Sequence, residues 1–311
     1  RTQVGGPDSF DEKLDLRDLL EKWKHDKRMM GLFDTNKDGT VDLKEWEAAR
    51  RMALKKVRDE HVQRAVESTD LHLLGICLPE ELGGAGMDYI SLGLACEELE
   101  YVDTHLRVIM SVHVGLNTMT LWCWGTEEQK KKYVLPQARG EKIATYGLTE
   151  PNAGSDAVGI QSTAVRKDGY YVLNGEKVWI SLADVADHFL VIAWTDQEKK
   201  KQRDHSGLSA FIVERAFKGF SSYTIKEKWG ILAGNTGGFS MDNVEVPVEN
   251  RVGEEGEGFK VAMFALENGR YTVAAGATGL IRACQDAGVK YAKERKTFGV
   301  PIGAQHLVKK M

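Results

Sequence analysis

The chain has 311 residues, of which 42% are hydrophobic and 28% are charged, and its formal net charge is −4. This length predicts two or three domains, or one large one, with a substantial core. Basic and acidic residues are interleaved, which predicts no nucleic-acid partner. No apolar run approaches the ~20 residues of a membrane span. Four cysteines without metal-site or disulfide spacing indicate reduced thiols in a cytoplasmic compartment.

Residues 34–45 place oxygen-bearing side chains at the spacing of an EF-hand calcium loop. Gly39 permits the sharp turn of such a loop, and apolar residues at helical spacing flank it on both sides. We predict a Ca²⁺ site in an EF-hand-like helix–loop–helix module at 1–70. The predicted ligands are Asp34, Asn36, Asp38, the carbonyl of Thr40, Asp42 through a water molecule, and Glu45. Because no second loop is found, we expect weak affinity, on the order of 10⁻⁵ to 10⁻³ M.

The pattern of apolar residues is helical up to about residue 141 and strand-like from there to about residue 253. Residues 90–100 and 106–120 predict buried helices, and Thr126 is a predicted N-cap with Gln129 at the third helical position. Between 142 and 253, β-rich runs bounded by turns predict strands at 170–173, 189–194 and 209–213. A helical layer followed by a β domain is therefore expected.

A polar, Gly-rich loop with hydroxyl groups occupies residues 146–156, at the start of the β region. Backbone donors and small hydroxyls in such a loop suit a polar cofactor edge or a phosphate. The segment 174–181 adds the aromatic ring of Trp179 and the hydroxyl of Ser181. The alternative to a cofactor site is that the loop residues only form turns and that Trp179 is a core residue.

These two segments, together with residues 73–86 and 125–130, resemble signatures of the acyl-CoA dehydrogenases, and the resemblance covers roughly residues 73–311. It implies an α+β fold in which a helical domain at 71–141 precedes a small central β-barrel for flavin and substrate at 142–253. The start of a C-terminal helical bundle, incomplete in this chain, would occupy 254–311. The EF-hand-like module would precede all three.

The resemblance also implies FAD as cofactor and a role for each matching residue. The residues that would contact the isoalloxazine ring, lie beside the flavin phosphate, or pack on the ring are Tyr146, Leu148, Thr149, Gly154, Ser155, Trp179, Ile180 and Ser181. Arg295, Thr297 and Phe298 would also bind flavin, and of these Arg295 and Thr297 would reach the flavin pyrophosphate of a neighbouring subunit. His306 departs from the family, which usually has glutamine there, and this puts one contact to the adjoining flavin in doubt.

Substrate contacts are implied for Ser155 and for two residues of a long helix predicted from 258 to about 293, Glu267 and Arg270. Desaturation of an acyl-CoA requires a carboxylate that takes the α-proton. The family's usual base glutamate is not found in these 311 residues, and its alternative position is Gly269. Glu267 lies about 200° away around a helix, so it is a weak candidate. We therefore expect a truncated chain with little or no turnover.

Residues 103–113 are similar to the glutaryl-CoA dehydrogenase branch. In that branch an arginine at the position of Arg107 binds the distal carboxylate of the substrate, and an apolar pocket would need such a cation. The alternative for Arg107 is a structural ion pair within the helical layer.

The implied function is FAD-dependent α,β-desaturation of an acyl-CoA thioester. Electron-transfer flavoprotein would be the acceptor, and a homo-oligomer, dimer or tetramer, would form if the bundle is complete. Three alternatives stay open at this point. They are a calcium-binding interaction module on a non-catalytic dehydrogenase-like scaffold, a junction of two unrelated genes, and an oxygen-using flavin oxidase.

Overall fold

The computed structural model describes residues 72–310. The predicted EF-hand-like module, with all of its calcium ligands, lies outside the described residues. The described part combines helices with one large sheet, so the expectation of an α+β fold is confirmed.

The first helical layer contains α1 (Tyr89–Val102), α2 (Thr104–Ile109) and α3 (Met119–Trp124), with a π-helix at Met110–Thr118 between the last two. The side chain of Asp88 caps α1 by accepting a hydrogen bond from the Ser91 amide at 2.8 Å. An N-cap of this kind satisfies one of the free amides at a helix start. The helices predicted at 90–100 and 106–120 are therefore present.

A second helical stretch consists of α4 (Glu127–Gln129), a π-helix at Lys130–Val134 and α5 (Leu135–Ala138). The predicted cap is confirmed, because the Gln129 amide donates to Thr126 Oγ1 at 3.2 Å and the Thr126 amide donates to Gln129 Oε1 at 3.0 Å. Gln129 Nε2 also donates to the carbonyl of Arg251 at 2.7 Å. The cap thus joins the helical layer to the sheet.

The main sheet has eight strands in the order β6-β7-β3-β2-β4-β5-β8, with β1 paired to β4. The strands are β1 (Ala144–Gly147), β2 (Thr163–Arg166), β3 (Tyr170–Ser181), β4 (His188–Trp194), β5 (Leu208–Glu214), β6 (Phe220–Thr224), β7 (Thr236–Pro247) and β8 (Arg251–Val252). The three predicted strand runs fall in β3, β4 and β5. A short helix, α6 (Gln197–Gln202), lies between β4 and β5.

The expected β-barrel is not confirmed. Within residues 72–310, β6 and β8 form the two ends of the strand order and do not pair with each other. A barrel requires its first and last strands to pair, so that no edge remains. The β domain is therefore an open sheet in which β1 and β2 both run parallel to β4.

The central strand β4 is buried on both faces and separates two apolar cores. Leu190, Ile192 and Trp194 belong to the core that includes the helices. Phe189, Val191 and Ala193 belong to the second core, formed with β3, β5 and β7. Since successive side chains of a strand point to opposite faces, a continuous apolar run is expected where both faces are covered.

The C-terminal part is dominated by α7 (Gly258–Glu294), followed by the short strands β9 (Lys296–Thr297) and β10 (Val300–Pro301) and by α8 (His306–Lys310). The long helix predicted from 258 is thus confirmed. It packs closely on α1, where a Cβ atom placed on Gly279 would lie 2.0 Å from the carbonyl oxygen of Glu97. The glycine therefore permits the close approach of the two helices.

Gly279→Ala is expected to lower the free energy of unfolding by about 1–3 kcal/mol, because α7 must move away from α1. Gly288→Ala is the matched control in the same helix, since no atom lies within 4 Å of a Cβ placed there. Alanine is favoured over glycine in a helix, so the control should raise the free energy of unfolding by up to about 1 kcal/mol. Urea denaturation of both variants checks this, and equal shifts would contradict the steric explanation.

No helix in the described range combines the length and the apolar character that a membrane span requires.

Candidate functional site

The 146–156 segment starts inside the protein, at the end of β1, and ends at the protein surface. Tyr146 and Leu148 are buried, Thr149 is half-buried, and Gly154 and Ser155 are exposed. The Tyr146 hydroxyl has no hydrogen-bond partner among the described residues. Burial raises the pKa of this phenol, so the hydroxyl keeps its proton at neutral pH. A buried donor without an acceptor is a rare feature that requires an explanation.

The outer part of the loop is open on one side. The amide of Ala153 and the carbonyl of Glu150 form a turn with a 3.1 Å hydrogen bond, and the reverse bond measures 2.9 Å. A Cβ atom placed on Gly154 would have no other atom within 4 Å. Space is therefore available beside Gly154 for a bound group.

Trp179 has an unusual backbone and an exposed ring. Its φ is +61°, in the left-handed region that non-glycine residues rarely adopt. The pairing of β3 with β7 shifts register between Val178 and Ile180, as at a β-bulge. As a result, Ile180 is buried, whereas the Trp179 side chain is 63% exposed. The alternative of a core tryptophan is thereby removed.

Hydrogen bonds hold the loop and the Trp179 segment side by side. The Val178 amide donates to the Thr149 carbonyl at 3.0 Å. The Thr145 hydroxyl donates to the Ser181 carbonyl at 2.6 Å. The two segments selected from the sequence, which are separated along the chain, therefore form one continuous surface.

A buried ion pair lies beneath this surface. Lys177 Nζ donates to Glu150 Oε1 at 2.8 Å, and the two side chains are 0% and 6% exposed. Burial lowers the pKa of Lys177 to about 8, so the ammonium stays charged at neutral pH. Burial alone would raise the pKa of Glu150, but the ammonium and the hydrogen bonds from Ser162 and Gln161 outweigh it and hold that pKa below its usual value. Both groups are therefore ionised at pH 7.

On α7 the predicted substrate residues face away from the buried side of the helix. Glu267 and Arg270 are exposed, whereas Gly269 is buried. A Cβ atom on Gly269 would lie 2.8 Å from a methyl carbon of Leu116. A larger side chain at position 269 would therefore require the Leu116 side chain to move, and position 269 lies on a different face of the helix from Glu267.

Arg107 is buried in the helical layer with Glu100 as its partner. Its Nε atom donates to Glu100 Oε2, and Nη1 donates to Ser111 Oγ at 3.1 Å. The Ser111 hydroxyl lies 2.7 Å from that of Thr272 on α7. Arg107 thus forms an ion pair with Glu100 inside the helical layer, which is the alternative to substrate binding named for it above. Its role in binding a substrate carboxylate stays a prediction.

The residues predicted to reach a second subunit lie on a small exposed hairpin. Arg295 is exposed, Thr297 is half-buried and Phe298 is 96% exposed. Phe298 and Gly299 both have positive φ, +51° and +82°, as in a two-residue type I′ turn between β9 and β10. The turn thus directs an aromatic ring away from the described part of the chain.

Family models for three domains match the chain in order. They are the acyl-CoA dehydrogenase N-terminal domain at residues 42–141, the middle domain at 145–244 and the C-terminal domain at 256–311. An acyl-CoA dehydrogenase of Bacillus subtilis is 38% identical over 264 residues, which cover 85% of this chain and 69% of that protein. The chain belongs to the acyl-CoA dehydrogenase family.

Two further members of the acyl-CoA dehydrogenase family show how the chain compares in length and structure. The short-chain specific acyl-CoA dehydrogenase of Clostridium acetobutylicum is 45% identical over 227 residues, 73% of this chain and 59% of that protein. The crystal structure of an acyl-CoA dehydrogenase complexed with FAD from Bacillus anthracis has a TM-score of 0.72 and 34% identity, and covers 99% of this chain and 50% of that one. The chain thus spans 59% and 69% of the two curated relatives.

The residues of the site fit the FAD that the acyl-CoA dehydrogenase family implies. A flavin needs an apolar stacking face and a few well-placed polar groups. The exposed ring of Trp179 offers the face, the unpartnered hydroxyl of Tyr146 offers a buried donor, and the space beside Gly154 admits a polar group. Thr149 and Ser155 supply further hydroxyls on the same loop.

Two residues of this candidate site, Glu150 and Lys177, were not predicted from the sequence. Both stand inside the two segments that carry the family resemblance. A lysine in a strand was no sign of burial, since charged residues are almost never fully buried unless they are paired. The signal that could have revealed them is the occurrence of one acid and one base within the two segments that were already expected to meet.

Metal ligation is not seen in the described part of the chain, where no group of three or more His, Cys, Asp or Glu side chains could hold an ion. The predicted Ca²⁺ site at 34–45 is not tested by these residues and stays a prediction. Cys77, Cys96, Cys123 and Cys284 are all free thiols.

Proposed function

We propose that this chain provides the flavin and acyl-CoA sites of an FAD-dependent acyl-CoA dehydrogenase. The observation that carries the proposal is the surface formed by the 146–156 loop and the 174–181 segment, with Trp179 exposed above a buried ion pair. Membership of the family and the FAD complex of a relative with a TM-score of 0.72 support it.

The proposed reaction removes a proton from the α-carbon of an acyl-CoA thioester and a hydride from its β-carbon, leaving a double bond between them. When bound, FAD accepts the hydride. The described residues would position the reactants: Trp179 packs on the ring, Thr149 and Ser181 offer polar contacts, and Ser155 borders the substrate. Glu267 is the candidate carboxylate on α7, and its exposure leaves its role as base a prediction.

The proposed substrate class is an acyl-CoA, and a dicarboxyl acyl-CoA would require Arg107 to exchange its partner. Arg107 is 9% exposed and already donates to Glu100 and Ser111. A substrate carboxylate would therefore have to compete with Glu100 for the guanidinium. For this reason we favour a plain acyl chain. Relative values of kcat/KM for butyryl-CoA and glutaryl-CoA test the preference.

We expect Trp179→Ala to raise the dissociation constant for FAD roughly 2- to 12-fold, the equivalent of the 0.5–1.5 kcal/mol that an aromatic pair contributes beyond its buried area. Trp229→Ala is the control, because Trp229 is fully exposed and has no part in the proposed site. Titration of the apoprotein with FAD, followed by flavin fluorescence, gives both constants. Equal constants for the two variants would contradict the stacking role.

The visible spectrum of the purified protein tests the proposed function directly. We expect flavin absorption bands after addition of FAD and removal of the excess. When an acyl-CoA is added without oxygen, we expect these bands to bleach slowly in a single turnover, because the usual base glutamate is not found in the sequence and loss of a general base slows the reaction by about 10²–10⁴-fold. Failure to retain FAD would overturn the proposal of a flavin site. Retained FAD that no acyl-CoA bleaches would overturn the proposal of desaturation by this chain.

Self-association and an electron-transfer flavoprotein as acceptor complete the proposal. Apolar side chains are exposed along α7 and the hairpin after it, among them Ile281 at 68% and Phe298 at 96%. Surfaces of this kind are typical of contacts between protein chains. Light scattering after size-exclusion chromatography distinguishes a monomer from a dimer or tetramer.

A further inference from the structure

We propose that the buried Glu150–Lys177 pair is a positioning element, which holds the 148–156 part of the loop in the geometry that binds flavin. This inference rests on the proposed function and extends it to two residues that do not themselves contact the bound groups. The pair would act through Thr149, whose carbonyl accepts from the Val178 amide, and through Trp179, two residues after Lys177.

Lys177 connects three parts of the chain through one atom. Its Nζ atom donates to the carbonyl of Leu148 at 3.0 Å, to Glu150 Oε1 at 2.8 Å and to the carbonyl of Ile192 at 2.9 Å. These acceptors lie in the loop and in β4, while Lys177 itself lies in β3. An ammonium has three donors, and here each of them has an acceptor.

Glu150 is equally well satisfied. Its Oε1 atom accepts from the Ser162 amide at 3.0 Å and from the Ser162 hydroxyl at 2.6 Å, in addition to Lys177. Its Oε2 atom accepts from the Gln161 amide. The carboxylate thus fixes both ends of the segment that contains Gly154 and Ser155, because Glu150 precedes them and residues 161 and 162 follow them.

Stability alone gives little reason for a pair of this kind. Replacing a buried ion pair with well-packed apolar residues is often neutral or stabilising, because the ions lose their hydration. The contribution of the pair is to specificity of structure. The two charges and their hydrogen bonds favour a single arrangement of the loop relative to β3 and β4. Trp179 continues the same strand at a bulge, so its ring orientation depends on where Lys177 is held.

The test uses the Glu150→Gln/Lys177→Met double variant, which removes both charges together. We expect it to fold and to bind FAD about 10- to 100-fold more weakly, by analogy with the loss of affinity when the hydrogen-bond partners of metal ligands are removed. Val244→Ala is the control, because Val244 is a buried β7 residue of the second core and pairs across the strands with Leu173, not with Lys177. Circular dichroism and thermal melting establish that both variants are folded.

Amide hydrogen exchange without FAD supplies the second readout. In the double variant we expect faster exchange at the amides of Gln161, Ser162 and Val178, and in Val244→Ala we expect wild-type rates there. FAD binding by the double variant within about twofold of wild type would overturn the inference. If the wild-type chain itself fails to bind FAD, the proposed function fails. Unchanged exchange at these amides would then also overturn the positioning role, whereas faster exchange would support it.

Discussion

Lys177→Met is expected to lower the free energy of unfolding by about 3–5 kcal/mol, because it leaves the Glu150 carboxylate buried without its counter-charge. Glu150 is 6% exposed and cannot turn to water without breaking its hydrogen bonds to Ser162 and Gln161. Methionine fills much of the volume of the lysine stem, so the loss is electrostatic rather than a cavity effect. Urea denaturation at pH 7, followed by circular dichroism, measures the change.

Two controls separate the buried pair from lysine replacement in general. Lys201→Met removes the same kind of side chain from an exposed pair with Glu198, in which the two side chains are 71% and 75% exposed. That substitution should change the free energy of unfolding by less than about 1 kcal/mol. The Glu150→Gln/Lys177→Met double variant should recover most of the lost stability, because no unpaired charge remains. If Lys177→Met were as stable as Lys201→Met, the pair would not be ionised as described.

Local features of the fold were predictable from the sequence because they depend on neighbouring residues. The capping box at Thr126 and Gln129 requires only residues three positions apart, and it was found as expected. The strands at 170–173, 189–194 and 209–213 were predicted from β-rich composition and turns. The α7 helix was predicted from its long helical pattern. Each of these signals lies within one element of structure.

Features that depend on distant pairing could not be predicted in the same way. The bulge that exposes Trp179 arises from the register between β3 and β7, which the sequence of β3 alone does not determine. The β-barrel was expected from the family resemblance. Whether the sheet closes into a barrel depends on hydrogen bonding between its end strands, β6 and β8, which are far apart in the sequence. Glu150 and Lys177 are 27 positions apart, and their burial depends on the packing of the loop and β3 against β4, where the Ile192 carbonyl accepts from Lys177. The predicted site residues therefore came from the family resemblance, whereas the buried pair next to them became visible only in the structure.

Acidification from pH 7 to pH 4 is expected to lower the free energy of unfolding by about 3 kcal/mol through His113 alone. The imidazole is completely buried, and burial lowers its pKa from 6.5 to about 4. The Ala144 amide donates to Nδ1 at 2.9 Å, and Nε2 lies 3.1 Å from the Gln137 carbonyl, to which it donates. The folded protein thus holds the neutral ring with its proton on Nε2.

The direction follows from the proton balance between the two states. Above pH 6.5 the ring is neutral in both states and contributes no pH dependence. Between pH 6.5 and about 4 only the unfolded chain takes up the proton, so stability falls with pH by up to about 1.4 kcal/mol per unit. Below about pH 4 both states are protonated and the contribution is constant. His188, whose pKa burial also lowers, adds in the same direction.

His113→Asn isolates this contribution, because asparagine does not titrate and can still offer an oxygen to the Ala144 amide. The variant should be less stable than wild type at pH 7, since the bond to Gln137 is lost or lengthened. Its free energy of unfolding should nevertheless fall less steeply between pH 6.5 and 4, by up to about 3 kcal/mol over the whole interval. Carboxylates with lowered pKa values, such as Glu150, affect both proteins equally and cancel in the difference. Urea denaturation at pH 7, 6, 5 and 4 gives the two curves, and parallel curves would show that His113 takes up its proton without unfolding.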